Sequence, residues 1–290
     1  MNKREKVAKA FIIPTIAWLL LFTIFPLLYS LRMSFFSIRF GRTQQFVGFQ
    51  NYLNVFQDNN FWNSIFFTLK FVGISVGIQF IVGLFLAVLV SKLDKFNKWI
   101  RTLWVLPLFS TPIATSYLAL TIFNEDIGPV NSLLSELFGF KVSWISGFFG
   151  ANASVILLDV WQWMPFMFLG FYSAIQSFPR SLYEASRVDG ATGWQTFRYI
   201  TFPLLKPVVI TLLFLRVTHA FQVFDFSYGL TGGGPGSATE TTSLYIYRNA
   251  FKHFNLGYAS ALSYVFFIII LFAAMFFLRS LRKSWVGGSQ

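Results

Sequence analysis

The chain has 290 residues, 55% of them hydrophobic and only 12% charged, against about 25% charged in a soluble domain, so it reads as an integral membrane protein. The absence of cysteine excludes disulfides, thiolate metal sites and cysteine nucleophiles, and two histidines, His219 and His253, leave little from which to build a histidine metal site. The net charge of +12 could suit nucleic acid, but in a membrane protein it is what loops held against anionic lipid carry.

A bilayer core about 30 Å thick needs about 20 apolar residues per crossing helix. Six stretches qualify, at 10–31, 65–90, 103–123, 153–176, 204–226 and 259–279. The first contains the apolar run from Phe11 to Leu31, and no small-residue cleavage site follows it, so it reads as a span and not as a removable leader. The loop at 32–62 is polar and aromatic, with the turn-like run Gln57-Asp58-Asn59-Asn60. The loop at 124–150 carries Glu125, Asp126 and Glu136, and Gly128-Pro129 marks a turn. The loop at 227–258 contains Thr231-Gly232-Gly233-Gly234-Pro235-Gly236, which reads as a flexible turn. It is no phosphate loop, because the chain has no Gly-Lys dipeptide and so no Walker A motif. No internal repeat of the kind that marks many secondary transporters is visible.

Lysine and arginine concentrate on one side of these spans. The N-terminus has Lys3, Arg4, Lys6 and Lys9; the loop at 91–102 has Lys92, Lys95, Lys98 and Arg101; the segment 177–206 has Arg180, Arg187, Arg198 and Lys206; the C-terminus has Arg279, Arg282 and Lys283. The other side has only Arg32, Arg39, Arg42, Lys141, Arg248 and Lys252. This bias puts both termini and the 177–206 segment in the cytoplasm.

That segment is the longest helix-like polar interruption in the chain. On a helix, Leu182, Ala185, Ser186 and Asp189 share one side, and the two small residues among them would let that side enter a tight groove. Gly190 is a natural stop, because glycine accepts positive φ without steric cost. Pro203 suits the first turn of the next helix. An ordinary solvated amphipathic loop has the same periodicity.

Ionisable residues inside spans are functional candidates. Asp159 sits in the fourth span, and its face continues through Trp163, Phe166 and Gly170, with Gln162 beside it. Aromatic walls with a few polar groups are what a small-molecule binding surface requires; plain helix packing, with Asp159 bonded to a neighbour, is the competing reading. The fifth span offers Phe221, Gln222 and Asp225. Arg216 and His219 read as structural partners of neighbouring helices. Lys70 reads as a snorkelling residue near the outer interface, and Gln79 as an interhelical hydrogen-bond former. No catalytic triad or hydrolytic carboxylate pair is apparent.

With the 177–206 segment in the cytoplasm, a family resemblance becomes specific. Glu184-Ala185-Ser186, Gly190, Ile200 and Phe202-Pro203 match the spacing of the EAA loop of type I ATP-binding-cassette (ABC) importer permeases, with Ser186 in place of the second alanine and Phe202 in place of leucine. The resemblance extends through Phe25-Pro26, Val47-Gly48-Phe49-Gln50-Asn51-Tyr52, Leu106-Pro107, Asp159-Val160-Trp161 with Pro165, Phe221-Gln222-Val223-Phe224-Asp225 and Thr239-Glu240-Thr241. It narrows to the carbohydrate-uptake, maltose-permease-like class. It implies an all-α, six-helix polytopic MetI-like fold, with 1–290 as a single transmembrane permease domain and 177–203 as its coupling loop. It also implies bacterial or archaeal cytoplasmic-membrane placement, a second permease subunit, two cytoplasmic ATPase subunits carrying ATP and Mg, and an extracytoplasmic sugar-binding protein. No cofactor is expected on this chain and no nucleic acid as a partner. By the same resemblance Asp159, Gln162, Trp163, Phe166, Phe221, Gln222 and Asp225 line the sugar path, while Leu182, Glu184, Ala185, Ser186, Asp189 and Gly190 couple to the ATPase. The alternatives are a stand-alone channel or secondary transporter, which would need gating charges or an inverted repeat, and a membrane enzyme acting on lipid or glycan, which would need clustered catalytic groups.

Overall fold

The structure is a computed structural model that describes residues 3–39, 41, 44–92 and 98–286. In chain order the helices are α1 (Lys3–Leu19), α2 (Phe25–Ser34), α3 (Gln50–Gln57), α4 (Asn59–Ser91), α5 (Lys98–Phe109), α6 (Pro112–Ile122), α7 (Pro129–Phe138), α8 (Phe148–Ser177), α9 (Arg180–Val188), α10 (Gly193–Thr196), α11 (Phe202–Phe221), α12 (Thr242–Tyr247) and α13 (Leu256–Val286). Strands β1 (Phe36–Ser37) and β2 (Gln45–Phe46) form a small antiparallel hairpin. Among the described residues five helices are long and apolar enough to cross a membrane: Phe11–Ser34, Asn59–Ser91, Phe148–Ser177, Gly193–Phe221 and Leu256–Phe276.

The expected third span, 103–123, is not one helix. It breaks between α5 and α6, where Thr111 is extended (φ −73°, ψ 127°). Proline excludes its predecessor from the helical region, and Pro112 then starts α6, where its missing N–H is no loss. The fifth span is also shifted. Helix runs from Gly193 through a π-turn at Phe197–Thr201 into α11 and stops at Phe221, short of the expected residue 226. Pro203 lies in the first turn of α11, as expected, with the π-turn immediately before it. The loop at 124–150 contains α7, which opens at the expected Gly128-Pro129 turn.

The chain divides into two compact units, Met1–Phe61 with Tyr245–Ile269, and Trp62–Leu244 with Ile270–Gln290. In the first, Asp58 separates α3 from α4. Its Oδ1 accepts the backbone N–H groups of Asn60 (3.0 Å) and Phe61 (3.3 Å), a side-chain cap for the next helix. Its Oδ2 accepts the hydroxyls of Tyr245 and Tyr258, each at 2.5 Å. Gly257 meets the hairpin so closely that a Cβ there would lie 1.9 Å from the Phe36 carbonyl oxygen.

The second unit packs around α4, α8 and α11, with Phe71, Met167, Phe168, Phe171 and Leu205 fully buried. Gly170 abuts Leu212 of α11, 2.4 Å from where a Cβ would stand, so it serves helix packing. The glycine-rich run is not loose. Thr239 is buried, its hydroxyl donates to the Gly234 carbonyl (2.9 Å) and its N–H reaches the Gly233 carbonyl (3.2 Å).

Candidate functional site

Asp159 lies eleven residues into α8, about 16 Å along the axis. That is deeper than the sequence suggests, because α8 begins at Phe148 and not near residue 153. A carboxylate at that depth in an apolar helix needs partners, and α4 and α11 supply them. Arg216 Nη2 donates to both carboxylate oxygens, reaching Oδ1 at 2.5 Å, and forms the ion pair through Oδ2. Arg216 Nε donates to Gln79 Oε1 at 2.8 Å, and Gln79 Nε2 donates back to Asp159 Oδ2 at 2.8 Å and to the Asp159 carbonyl at 3.0 Å. The three side chains close a ring that ties three helices together. All are at most 2% exposed. Such a pair is held by its hydrogen bonds as much as by charge, because desolvation cancels much of the Coulomb attraction.

One turn further along α8, Trp163 faces the same cation. The Arg216 Cζ lies 5.2 Å from its ring centroid, within cation–π range. The His219 ring, one turn beyond Arg216 on α11, sits 4.2 Å from the indole, and Phe166 meets it edge-on at 6.3 Å. Accessibility rises along this set, from buried Arg216 through half-buried Trp163 and Phe166 to exposed His219.

Gln162 is buried and points another way. Its Nε2 donates to the Ser110 carbonyl at 2.7 Å, the acceptor freed by the α5–α6 break, and its Oε1 has no partner among the described residues. The C-terminal end of α11 separates the remaining expected path residues. Phe221 is buried, Gln222 is the exposed residue that ends the helix, and Asp225 follows in the next segment, its carbonyl accepting from Ser116 Oγ at 3.2 Å. Gln222 and Asp225 thus do not continue one helical face. Lys70 donates to Asn152 Oδ1 at 2.8 Å.

The second region is α9. Pro179 forces Phe178 out of the helical region (ψ 146°), which ends α8 and lets α9 start. At its far end Gly190 has φ +73°. The N–H of Ala191 reaches the Ser186 carbonyl (2.9 Å) and that of Gly190 the Arg187 carbonyl (3.1 Å), the paired bonds of a Schellman stop. Thr192 and Gln195 then form a capping box that starts α10; the Thr-x-x-Gln spacing was available in the sequence as its signal. The face of α9 differs from the expected one. Ser186 is buried and turned into its own chain, whereas Leu182, Ala185, Val188 and Asp189 are exposed. Val188, 87% exposed, belongs to that outward stripe by its i+3 step from Ala185 and was missed. Glu184 lines a cavity of about 810 Å³ together with Lys92, Arg180, Tyr183, Ser186 and Arg187. Among the described residues no group of acidic or histidine side chains could hold a metal ion.

A family model described as binding-protein-dependent transport system inner membrane component matches residues 79–284. The chain is 34% identical over 281 residues to the trehalose/maltose transport system permease protein MalF of Thermococcus litoralis, covering 96% of this chain and 94% of that one. It is 36% identical over 273 residues to the sulfoquinovosyl glycerol transport system permease protein SmoG of Agrobacterium fabrum, covering 93% and 88%. Among solved structures, a chain of a bacterial alginate ABC transporter, in complex with an alginate pentasaccharide-bound periplasmic protein, superposes with a TM-score of 0.87 at 26% identity, covering 98% of this chain and 96% of that one.

Proposed function

The chain belongs to the binding-protein-dependent transport system inner membrane component family, and from that premise we propose that it is one of two permease subunits of an ABC importer for a sugar or oligosaccharide. The observation that carries the substrate class is that relatives matching nearly the whole chain are named for carbohydrate transport. The complex would add a second permease subunit, two cytoplasmic ATPase subunits holding ATP and Mg, and an extracytoplasmic sugar-binding protein, in a bacterial or archaeal cytoplasmic membrane.

The Lys/Arg bias supports cytoplasmic termini and a cytoplasmic α9. On that placement the outward stripe of Leu182, Ala185, Val188 and Asp189 enters a groove of an ATPase subunit, exposed Glu184 is its charged contact, Gly190 sets the turn, and buried Ser186 faces the permease side. ATP-driven closure moves α9, and the continuous helix from Gly193 to Phe221 carries the displacement to the α8–α11 face. There Trp163 and Phe166 offer stacking surface and Asp225 supplies a hydrogen-bonding group, while buried Gln162 holds the α5–α6 break from behind through the Ser110 carbonyl. Phe221 and Gln222 bound the end of that surface, and Asp159 acts from behind it through Arg216.

Uptake of labelled maltose, trehalose or lactose into proteoliposomes holding the whole complex tests this reading. ATP-dependent uptake that stops when the ATPase is left out is expected; uptake of equal rate without the ATPase overturns it. Single cysteines at Ser181 and Ser284 should label only from inside and those at Ser37, Ser146 and Ser237 only from outside, and reversed labelling at Ser181 removes α9 from the ATPase.

A further inference from the structure

We propose that Arg216 is a positioning residue for Trp163: held along one edge by Asp159 and Gln79, its guanidinium fixes the angle at which the indole is presented. The proposal rests on the reading of the α8–α11 face as part of the sugar path.

Two residues from each helix build the arrangement. Asp159 and Trp163 stand one turn apart on α8, and Arg216 and His219 nearly one turn apart on α11. Asp159 and Trp163 both meet Arg216, the first by ion pair and the second by cation–π contact at 5.2 Å. His219 closes the set against the indole at 4.2 Å. A half-buried indole has two side-chain torsions and no fixed angle of its own; stacking on a sugar ring requires one. Its Phe166 neighbour touches only at an edge, 6.3 Å away, so the cation and the imidazole define the ring plane.

The cation is itself held from one side only. Nε goes to Gln79 and Nη2 to Asp159, while Nη1 has no hydrogen-bond partner among the described residues. Its place therefore depends on the planar fork that reaches both partners at once. Lysine keeps the charge and the pairing with Asp159, but it has no fork and no flat face to lay against the ring. Arg216→Lys thus separates positioning from the mere presence of a charge. Gln79→Met removes one of the two holds and leaves the ion pair in place.

The test uses the complete complex labelled with 5-fluorotryptophan. The Trp163 resonance is assigned by its loss in Trp163→Phe, and uptake is followed with whichever of maltose, trehalose and lactose the wild type imports. In Arg216→Lys the Trp163 resonance should move or broaden while the others stay. Half-saturation for the loaded binding protein and maximal ATPase stimulation should stay within about twofold, and competition between sugars should change by about tenfold, between the values of an exposed and a desolvated cation–π contact. Gln79→Met should move the same resonance in the same direction by less, and it decides the matter if Arg216→Lys does not assemble. An unmoved Trp163 resonance and unchanged sugar competition in the assembled variant overturn the proposal. Trp163→Ala keeps the two readings apart: if it leaves uptake and preference unchanged, the path assignment falls, while the resonance still decides whether Arg216 positions the ring.

Discussion

The polar cluster of α4, α8 and α11 and the polar helix α9 use charged groups in opposite ways. In the cluster, Gln79, Asp159 and Arg216 satisfy one another almost completely, and each is nearly inaccessible. On α9, Leu182, Val188 and Asp189 are exposed, and nothing within the described residues covers Val188. The difference follows from the solvent each region meets. Hydrocarbon offers no hydrogen bonds, so polar groups within a bilayer must pair inside the protein. Water imposes no such demand, so a helix in water, as α9 is on the proposed placement, can leave a face open. A polar residue in the first region acts by holding other residues, and one in the second, on the proposed coupling reading, by meeting a partner.

The largest effect should come from taking one member out of the closed ring. Asp159→Ala leaves Arg216 buried and uncompensated, which costs about 3–5 kcal/mol. Denaturant unfolding of the purified protein should show it, and Asp159→Asn combined with Arg216→Gln should recover most of the loss. Full stability of Asp159→Ala would mean the ring is ornamental. Gly190→Val should come next. At φ +73° a β-branched side chain is strained by about 1–2 kcal/mol, enough to disturb the Schellman stop but not insertion. ATPase stimulation by loaded binding protein should fall several-fold with the permease still in the membrane; wild-type stimulation would detach the turn from coupling.

Two faces of α9 should then separate. Val188→Asp on the outward stripe should weaken retention of the ATPase on purification by about tenfold, equivalent to about 1.4 kcal/mol. Ser186→Ala, on the face turned into its own chain and losing only a hydroxyl bonded within its own helix, should leave ATPase retention within about twofold of wild type, equivalent to about 0.4 kcal/mol. Equal effects would erase the distinction between the faces. The smallest effect concerns Glu125, which accepts the N–H groups of Ser146 and Ile145 and the Ser146 hydroxyl. The Ser146 N–H, above all, holds this carboxyl below the usual range, with burial opposing. Its contribution is complete above the ordinary carboxylate pKa and is lost as pH falls through the lowered one. The protection factors of the Ile145 and Ser146 amides, exchange rates taken relative to the intrinsic rate at each pH, should therefore hold at mildly acidic pH and fall only below it, and Glu125→Gln should remove that dependence.

Much of this molecule is written in local patterns. Composition requires a membrane protein, five of the expected spans correspond to long apolar helices, and Gly190 closes a helix as its conformational freedom suggests. The α9 periodicity was legible as an amphipathic helix but not as a choice of face, because its apolar residues Leu182, Ala185 and Val188 stand outward while polar Ser186 is the one its own chain covers. Ser186 went inward and Val188 outward on tertiary grounds alone. The prolines make the same point. Thr111-Pro112 interrupts the third span, while Pro165 sits inside unbroken α8. Sequence determines where an N–H is missing; only packing decides whether the chain breaks there, and at Ser110 the freed carbonyl finds Gln162 of α8. Likewise the sequence placed Asp159, Gln79 and Arg216 in three separate spans, each expensive in hydrocarbon alone. Their meeting in one ring is a property of three helices packed together, because hydrogen bonds of such short reach form only when the fold brings their partners within 3 Å.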